Sequence, residues 1–173
     1  MPILGKEAKT NAMRLLERAG IPYLPHEYPH EEGQAVDGAA VARLTGQDPA
    51  RVFKTLVTQG ADKQFYVFVL PVLAELDLKK AAKAAGVKSV AMIHVAEINK
   101  ITGYVRGGCS PVGMKKSFPT VFDESCLAQP SILVSGGRIG TQVEVAPAAL
   151  VAAVRGKTAA ITVQGGADED EKA

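Results

Sequence analysis

Short apolar runs interspersed with short capped helices predict an α+β domain, and three observations carry that prediction. Residues 52–58 and 65–70 are apolar runs flanking a polar turn at 60–63, which is the pattern of a hairpin. Asp37 and Asp77 each precede a helix-forming stretch that meets a glycine, Gly46 and Gly86. An acceptor side chain at the start and a glycine just past the end suit the two termini of a helix. Residues 120–123, 132–135 and 141–145 then supply further short strands. Strands and helices mixed in this way, without strict βαβ alternation, define the class.

Taken in order, residues 6–19 read as an amphipathic helix with Ala12, Leu15, Leu16 and Ala19 inward and Gly20 as its stop. Residues 21–28 form an edge strand, because Pro22 and Pro25 cannot donate to a ladder. Residues 29–36 are polar loop. Asp37 caps a helix through Leu44, and Asp48–Pro49 starts another turn. After the hairpin, Asp77 caps a helix through Ala85. Residues 95–101 are a short helix, 147–154 another, and 159–164 a final strand. The segment SGGRIG connects the strands at 132–135 and 141–145 tightly.

At 173 residues with 47% hydrophobic content and no Trp, the chain suits one domain, residues 1–165, with a core of Ala, Val, Leu and Ile. The tail, residues 166–173, is acidic and reads as a disordered end. The N-terminal stretch lacks an apolar signal core. The longest apolar runs, of roughly ten residues, are too short to span a bilayer. A cytoplasmic protein with no membrane or DNA partner is therefore expected. Cys109 and Cys126 are the two cysteines, and no disulfide is expected of them. No CxxC, HExxH or Cys/His cluster occurs, so no metal or cofactor is expected either. His26 and His30 are four apart, but Pro25 and Pro29 exclude a helical ligand pair.

Net charge is +2, unevenly spread: residues 41–120 hold twelve Lys/Arg against five Asp/Glu. A cationic middle suits an RNA or phosphate-bearing partner, and equally a solvated face. Within it lies TGYVRGGCSPVGMKK, residues 102–116. Gly107 and Gly108 let backbone N–H groups approach a ligand, and Pro111 fixes the loop's shape. Turned N–H groups make an anion-holding concavity. A plain surface loop has the same composition.

Four separated pieces decide between such readings. VFKTLV (52–57), LPVLAELDLKKAAKAAGVK (70–88), TGYVRGGCSPVGMKKSFPTVFDE (102–124) and VSGGRIGTQVEVAP (134–147) resemble, in order and spacing, the YbaK/EbsC family of aminoacyl-tRNA deacylases, in particular the Cys-tRNA(Pro) deacylases. The resemblance runs from about residue 12 to about residue 163. It implies a mixed, barrel-like central sheet surrounded by helices. It also implies a trans-editing hydrolase that removes a wrong amino acid from tRNA, with the substrate's own thiol as nucleophile and thiolactone formation as a lyase-like variant. Aminoacyl-tRNA is the implied partner, with prolyl-tRNA synthetase as a further one. A deacylase for another small amino acid, such as Ala-tRNA(Pro), and a non-catalytic tRNA- or nucleotide-binding module stay open.

The resemblance places Lys54 on the family's essential lysine, holding the acceptor-end phosphate or ribose; by pattern alone it is a strand lysine reaching solvent. Gly107 begins the family's Gly-x-x-x-Pro loop, so N–H groups near Gly107 and Gly108 are expected to polarise the ester carbonyl. Tyr28, Thr55, Ser135 and Pro111 match substrate-side positions. The side chain of Thr55 should point away from Lys54, leaving only its backbone to take part. Gln142 falls where some members have Asp and Asp37 where some have an aromatic residue, which bears on selectivity. Cys109 occupies a variable position of the loop with no His near in sequence, so it is not expected to be the nucleophile. Cys126 reads as packing.

Overall fold

A computed structural model of the chain describes residues 9–164. The expected acidic tail and the first part of the expected helix from Lys6 lie outside them. Helix α1 (Asn11–Arg18) starts later than predicted. The Thr10 hydroxyl accepts from the Met13 N–H at 3.1 Å, a cap worth about 1 kcal/mol over alanine. Strand β1 (Tyr23–Glu27) follows. Asp37 caps α2 (Gly38–Thr45), receiving N–H groups from Ala39 and Ala40, and Gly46 closes it in the left-handed region. The carboxylate of Asp48 starts a 3₁₀ turn, Pro49–Arg51.

The hairpin is β2 (Phe53–Gly60) with β3 (Phe65–Pro71), paired antiparallel. Asp77 caps α3 (Leu78–Ala85), which Gly86 ends. A strand that the sequence did not announce, β4 (Val90–Met92), leads into a 3₁₀ turn (Val95–Glu97) and α4 (Ile98–Thr102). Then come β5 (Thr120–Asp123), β6 (Ile132–Arg138), β7 (Thr141–Val145), α5 (Pro147–Ala153) and β8 (Lys157–Ala159).

The last strand is a correction, since 159–164 was expected. The ladder with β5 is parallel and engages Lys157–Ala159. Beyond it, Ile161 donates its N–H to the buried Asp123 carboxylate at 3.1 Å and gives its carbonyl to the Asp77 N–H. Residues 160–163 are thus held by a side chain and by the approach to α3, which takes the place of a ladder.

The strands form two sheets, β1-β7-β6 and β4-β2-β3-β5-β8. The second is mixed, antiparallel at β2–β3 and parallel at β3–β5–β8. A parallel bridge from Val52 to Leu133 joins the sheets. The mixed α+β class predicted from sequence is the class observed. The main core lies between the sheets and under α1 and α5, with Leu16, Phe53, Val67, Phe122, Ile132, Val143 and Leu150 buried. Two smaller clusters lie on the outer faces: Phe68, Leu70 and Ile161 with Ala81 and Ala82 of α3, and Val52 and Leu133 with Ala42 of α2. Each fully buried aliphatic side chain contributes about 1.5–3 kcal/mol.

Candidate active site

The site sits where β2 runs out of neighbours. On one side β3 pairs it along its length. On the other, β4 reaches only Thr58–Gly60, and β6 touches it at Val52. Alternation fixes which backbone groups face the gap. Val52 and Gly60 bond towards the β3 side, through Val72 and Gln64, whereas the Val57 carbonyl accepts from Ile93 on the opposite side. Thr55, an even number of residues from Val57, therefore turns its N–H and carbonyl away from β3 into the unpaired stretch.

A cavity of about 350 Å³ fills this gap. Its apolar walls come from Val36 and Val41 at α2, Val72 after β3, and Ile93, Val95 and Ile98 after β4. Tyr28, Lys54, Thr55, Gly107, Ser135 and Gln142, predicted from separate parts of the sequence, all line it. Gly108 and Pro111 do not. Sequence reading missed the apolar walls and Arg106, which lines the mouth; the run of apolar residues across 90–101 was the one available signal.

Lys54 is half-buried and makes no ion pair among the described residues. Burial pushes its ammonium below the usual lysine range, and the charge of Glu75 opposes that shift. The result is a cation held in a largely apolar cavity, where its field acts with little screening.

The glycine pair divides its tasks. Gly107 has φ +85°, and a Cβ there would fall 2.7 Å from the Ala35 Cβ, so only glycine lets the loop close against residue 35. Gly108 donates its N–H to the Val105 carbonyl at 2.9 Å, closing a turn. A Cβ on Gly108 would come 2.9 Å from the Arg138 Cα. Gly108 does not line the cavity: its N–H is spent on the turn and its face packs against the end of β6. Pro111 is buried behind the loop. The N–H of Gly107 has no partner among the described residues.

Ser135 and Gln142 are directly opposed on β6 and β7, so their side chains share a face. The Ser135 hydroxyl accepts from the Gly137 N–H at 3.1 Å, which leaves its proton free to donate. Gln142 is only 5% exposed, and its side-chain oxygen is buried without a partner. The Thr55 hydroxyl is likewise buried and unpartnered. The Tyr28 N–H is tied to the Gly140 carbonyl at 2.9 Å, and its ring meets His30 edge-on. Asp37 does not line this cavity; it lines an adjoining one with Val36, Arg106 and Gly107, and its carboxylate caps α2.

Cys109 lines the cavity, and burial pushes its thiol up to about 11, against a weaker opposite pull from Thr102. A thiol with that pKa is protonated at neutral pH and is a poor nucleophile. Cys126 is core, also with a pKa raised to about 11, chiefly by burial. Among the described residues, no His, Asp or Glu lines the cavity. The site can position and polarise an ester, but its wall supplies no histidine or carboxylate as general base and no activated thiol.

A mixed α+β domain with a lysine and a glycine loop across such a cavity is the architecture of an editing domain. The chain belongs to the aminoacyl-tRNA editing domain family, whose model matches residues 31–153. It is similar to an Enterococcus faecalis protein named "Putative Cys-tRNA(Pro)/Cys-tRNA(Cys) deacylase EbsC", 44% identical over 158 residues, which are 91% of this chain and 96% of the relative. Two solved structures share the fold. One is named "a putative trans-editing enzyme for prolyl tRNA synthetase" (TM-score 0.74, 24% identity, 89% of this chain and 98% of that one). The other is a hypothetical protein, APE2540 (TM-score 0.77, 23% identity, 87% and 97%). No helix among the described residues is long and apolar enough to cross a membrane.

Proposed function

We propose that this chain is a cytoplasmic aminoacyl-tRNA deacylase that removes cysteine mistakenly attached to tRNA(Pro). The carrying observation is a cavity that gathers Lys54, Gly107, Ser135 and Gln142 yet has no His, Asp or Glu and no reactive thiol in its wall. A site so equipped suits a substrate that brings its own nucleophile. The family and the 44% identical relative point to the same substrate class. The biological need is physical: cysteine and proline are close in size, and an apolar synthetase pocket separates such analogues weakly.

In this scheme Lys54 anchors the acceptor-end phosphate or ribose and fixes the ester's orientation. The Gly107 N–H receives the carbonyl oxygen as charge develops on it. The substrate sulfur bonds to the acyl carbon, and the bond from that carbon to the ribose oxygen breaks. The thiol proton ends on the released ribose hydroxyl, and water opens the resulting thiolactone. Prolyl-tRNA synthetase is the proposed partner supplying tRNA identity, in keeping with the name of the solved structure that shares this fold.

The deciding experiment is single-turnover deacylation of Cys-tRNA(Pro) and Ala-tRNA(Pro) by wild type and Cys109→Ser. Cysteine should leave far faster than alanine, and the serine variant should keep that activity. Equal rates on the two substrates would reject the substrate-thiol route in favour of positioned water. Loss of activity in a folded Cys109→Ser protein would move the nucleophile to the enzyme. No deacylation of any charged tRNA would favour a non-catalytic binding module.

A further inference from the structure

An ester at the end of a nucleic acid is the tip of a polymer, so a cavity that takes it must let the rest of the strand leave. Beside the first cavity lies a second, of about 540 Å³, lined by residues 33–37 and 105–107. That volume falls within the range of about 300–1,000 Å³ typical of ligand sites. Val36, Arg106 and Gly107 line both cavities. The two loops that wall the second one meet at Gly107, where a Cβ would fall 2.7 Å from that of Ala35. Arg106 stands exposed at this junction and makes no ion pair among the described residues. The other charged side chain of the second cavity is Asp37, whose Oδ1 accepts from the Ala39 and Ala40 N–H groups. Gln34 and Asp37 offer polar groups that a base edge can meet, and Val36 and Val105 offer apolar surface.

We propose that the second cavity receives the nucleotide preceding the terminal adenosine, with the Arg106 guanidinium on the phosphate that joins the two. The assignment rests on the deacylase reading. In it the aminoacylated adenosine enters the first cavity and the strand crosses the junction into the second. A guanidinium donates to two phosphate oxygens at once, so it fixes the joint as well as attracting it. A substrate held on both sides of that joint presents its ester in one orientation.

The test uses three cysteinyl esters: of adenosine, of the dinucleotide CpA, and of CpA with a methylphosphonate link, which keeps the shape and removes the charge. Wild type should cleave the CpA ester with a kcat/KM roughly tenfold above that of the adenosine ester, the worth of hydrogen bonds to a charged group. The neutral link should erase most of that gain. Arg106→Gln should lose the gain and treat charged and neutral links alike, and Arg106→Lys should keep part of it. Circular dichroism checks that each variant is folded; should Arg106→Gln not fold, Arg106→Lys and the neutral link decide. Equal wild-type kcat/KM on the adenosine and CpA esters, or a preference that folded Arg106→Gln leaves unchanged, would overturn the assignment while leaving the deacylase reading intact. So would cleavage of Cys-tRNA(Pro) with neither small ester cleaved, since recognition would then lie farther along the strand. No cleavage of Cys-tRNA(Pro) would overturn the deacylase reading, and the nucleotide site with it.

Discussion

Glu144 and Gln142 stand two residues apart on one face of β7, and the polar groups around them are treated in opposite ways. Around Glu144 every neighbour is engaged. Its carboxylate receives Arg51 at 2.7 Å and the Ser131 hydroxyl at 2.6 Å, and His26 Nε2 lies 2.8 Å away. Arg51 also reaches the Ser131 hydroxyl and carbonyl. The cluster ties β1, β7, the start of β6 and the turn before β2 into one piece. In the cavity wall the oxygens of Gln142 and Thr55 have no partner and Lys54 has no counter-ion. Polar groups that satisfy one another build scaffold; buried polar groups left unsatisfied call for an explanation.

The sharpest way to break this contrast is Lys54→Ala. A partly buried ammonium whose pKa is pulled down by burial contributes nothing to stability in its charged form. The variant should therefore unfold at an unchanged or slightly higher temperature while deacylation falls by on the order of a hundredfold or more. Normal turnover by the folded variant would remove Lys54 from the site.

The opposite result is expected at the paired cluster. Glu144→Gln should lower stability by about 1–3 kcal/mol, the range for losing hydrogen bonds to a charged group, with kcat/KM on Cys-tRNA(Pro) little changed. Hydrogen bonds from Ser131 and then His26, aided by Arg51 and opposed by burial, hold the Glu144 carboxyl below its ordinary range. A group with a depressed folded pKa stabilises fully above its unfolded pKa and loses that contribution as pH falls through the folded one. The stability gap between wild type and Glu144→Gln should thus be widest near neutrality and close in acid. Urea denaturation at about pH 7 and about pH 3 measures it; a gap that stays constant would assign the loss to packing.

The two clusters also differ in how far the sequence revealed them. Lys54, Thr55, Gly107, Ser135 and Gln142 lie within short motifs, and their convergence was expected from the resemblance those motifs carry. Arg51, Ser131, Glu144 and His26 meet across separations of up to 118 residues, and no local pattern marks any of them. The same division runs through the fold. Caps at Asp37, Asp48 and Asp77 are local chemistry and were legible. Strand β4 is three residues long, too short for a periodicity, and exists because β2 offers it an edge. Strand β8 was misplaced because alternation across 159–163 signals extended chain without saying which partner it meets. The different surroundings of Gly107 and Gly108 were not legible, because a paired glycine reads alike whether its N–H is free or spent on the Val105 carbonyl.

The smallest expected effect extends the comparison to charge. Of the twelve Lys/Arg in residues 41–120, only Arg51 forms an ion pair among the described residues. Arg51 belongs to the scaffold, while Arg106 lies exposed at the cavity mouth. Binding of tRNA should weaken as salt rises, because cations that meet phosphates release condensed counter-ions. A small domain makes few such contacts, so the slope of log affinity against log salt should be shallow. Arg106→Gln should reduce its magnitude by about one if that side chain meets a phosphate. Arg51→Met should leave the slope unchanged while lowering the unfolding temperature, since its charge is already neutralised by Glu144. Filter binding or fluorescence anisotropy across a salt series separates the two variants. A slope that responds to Arg51 and not to Arg106 would place the RNA on the paired side of the molecule and dissolve the distinction between scaffold and site.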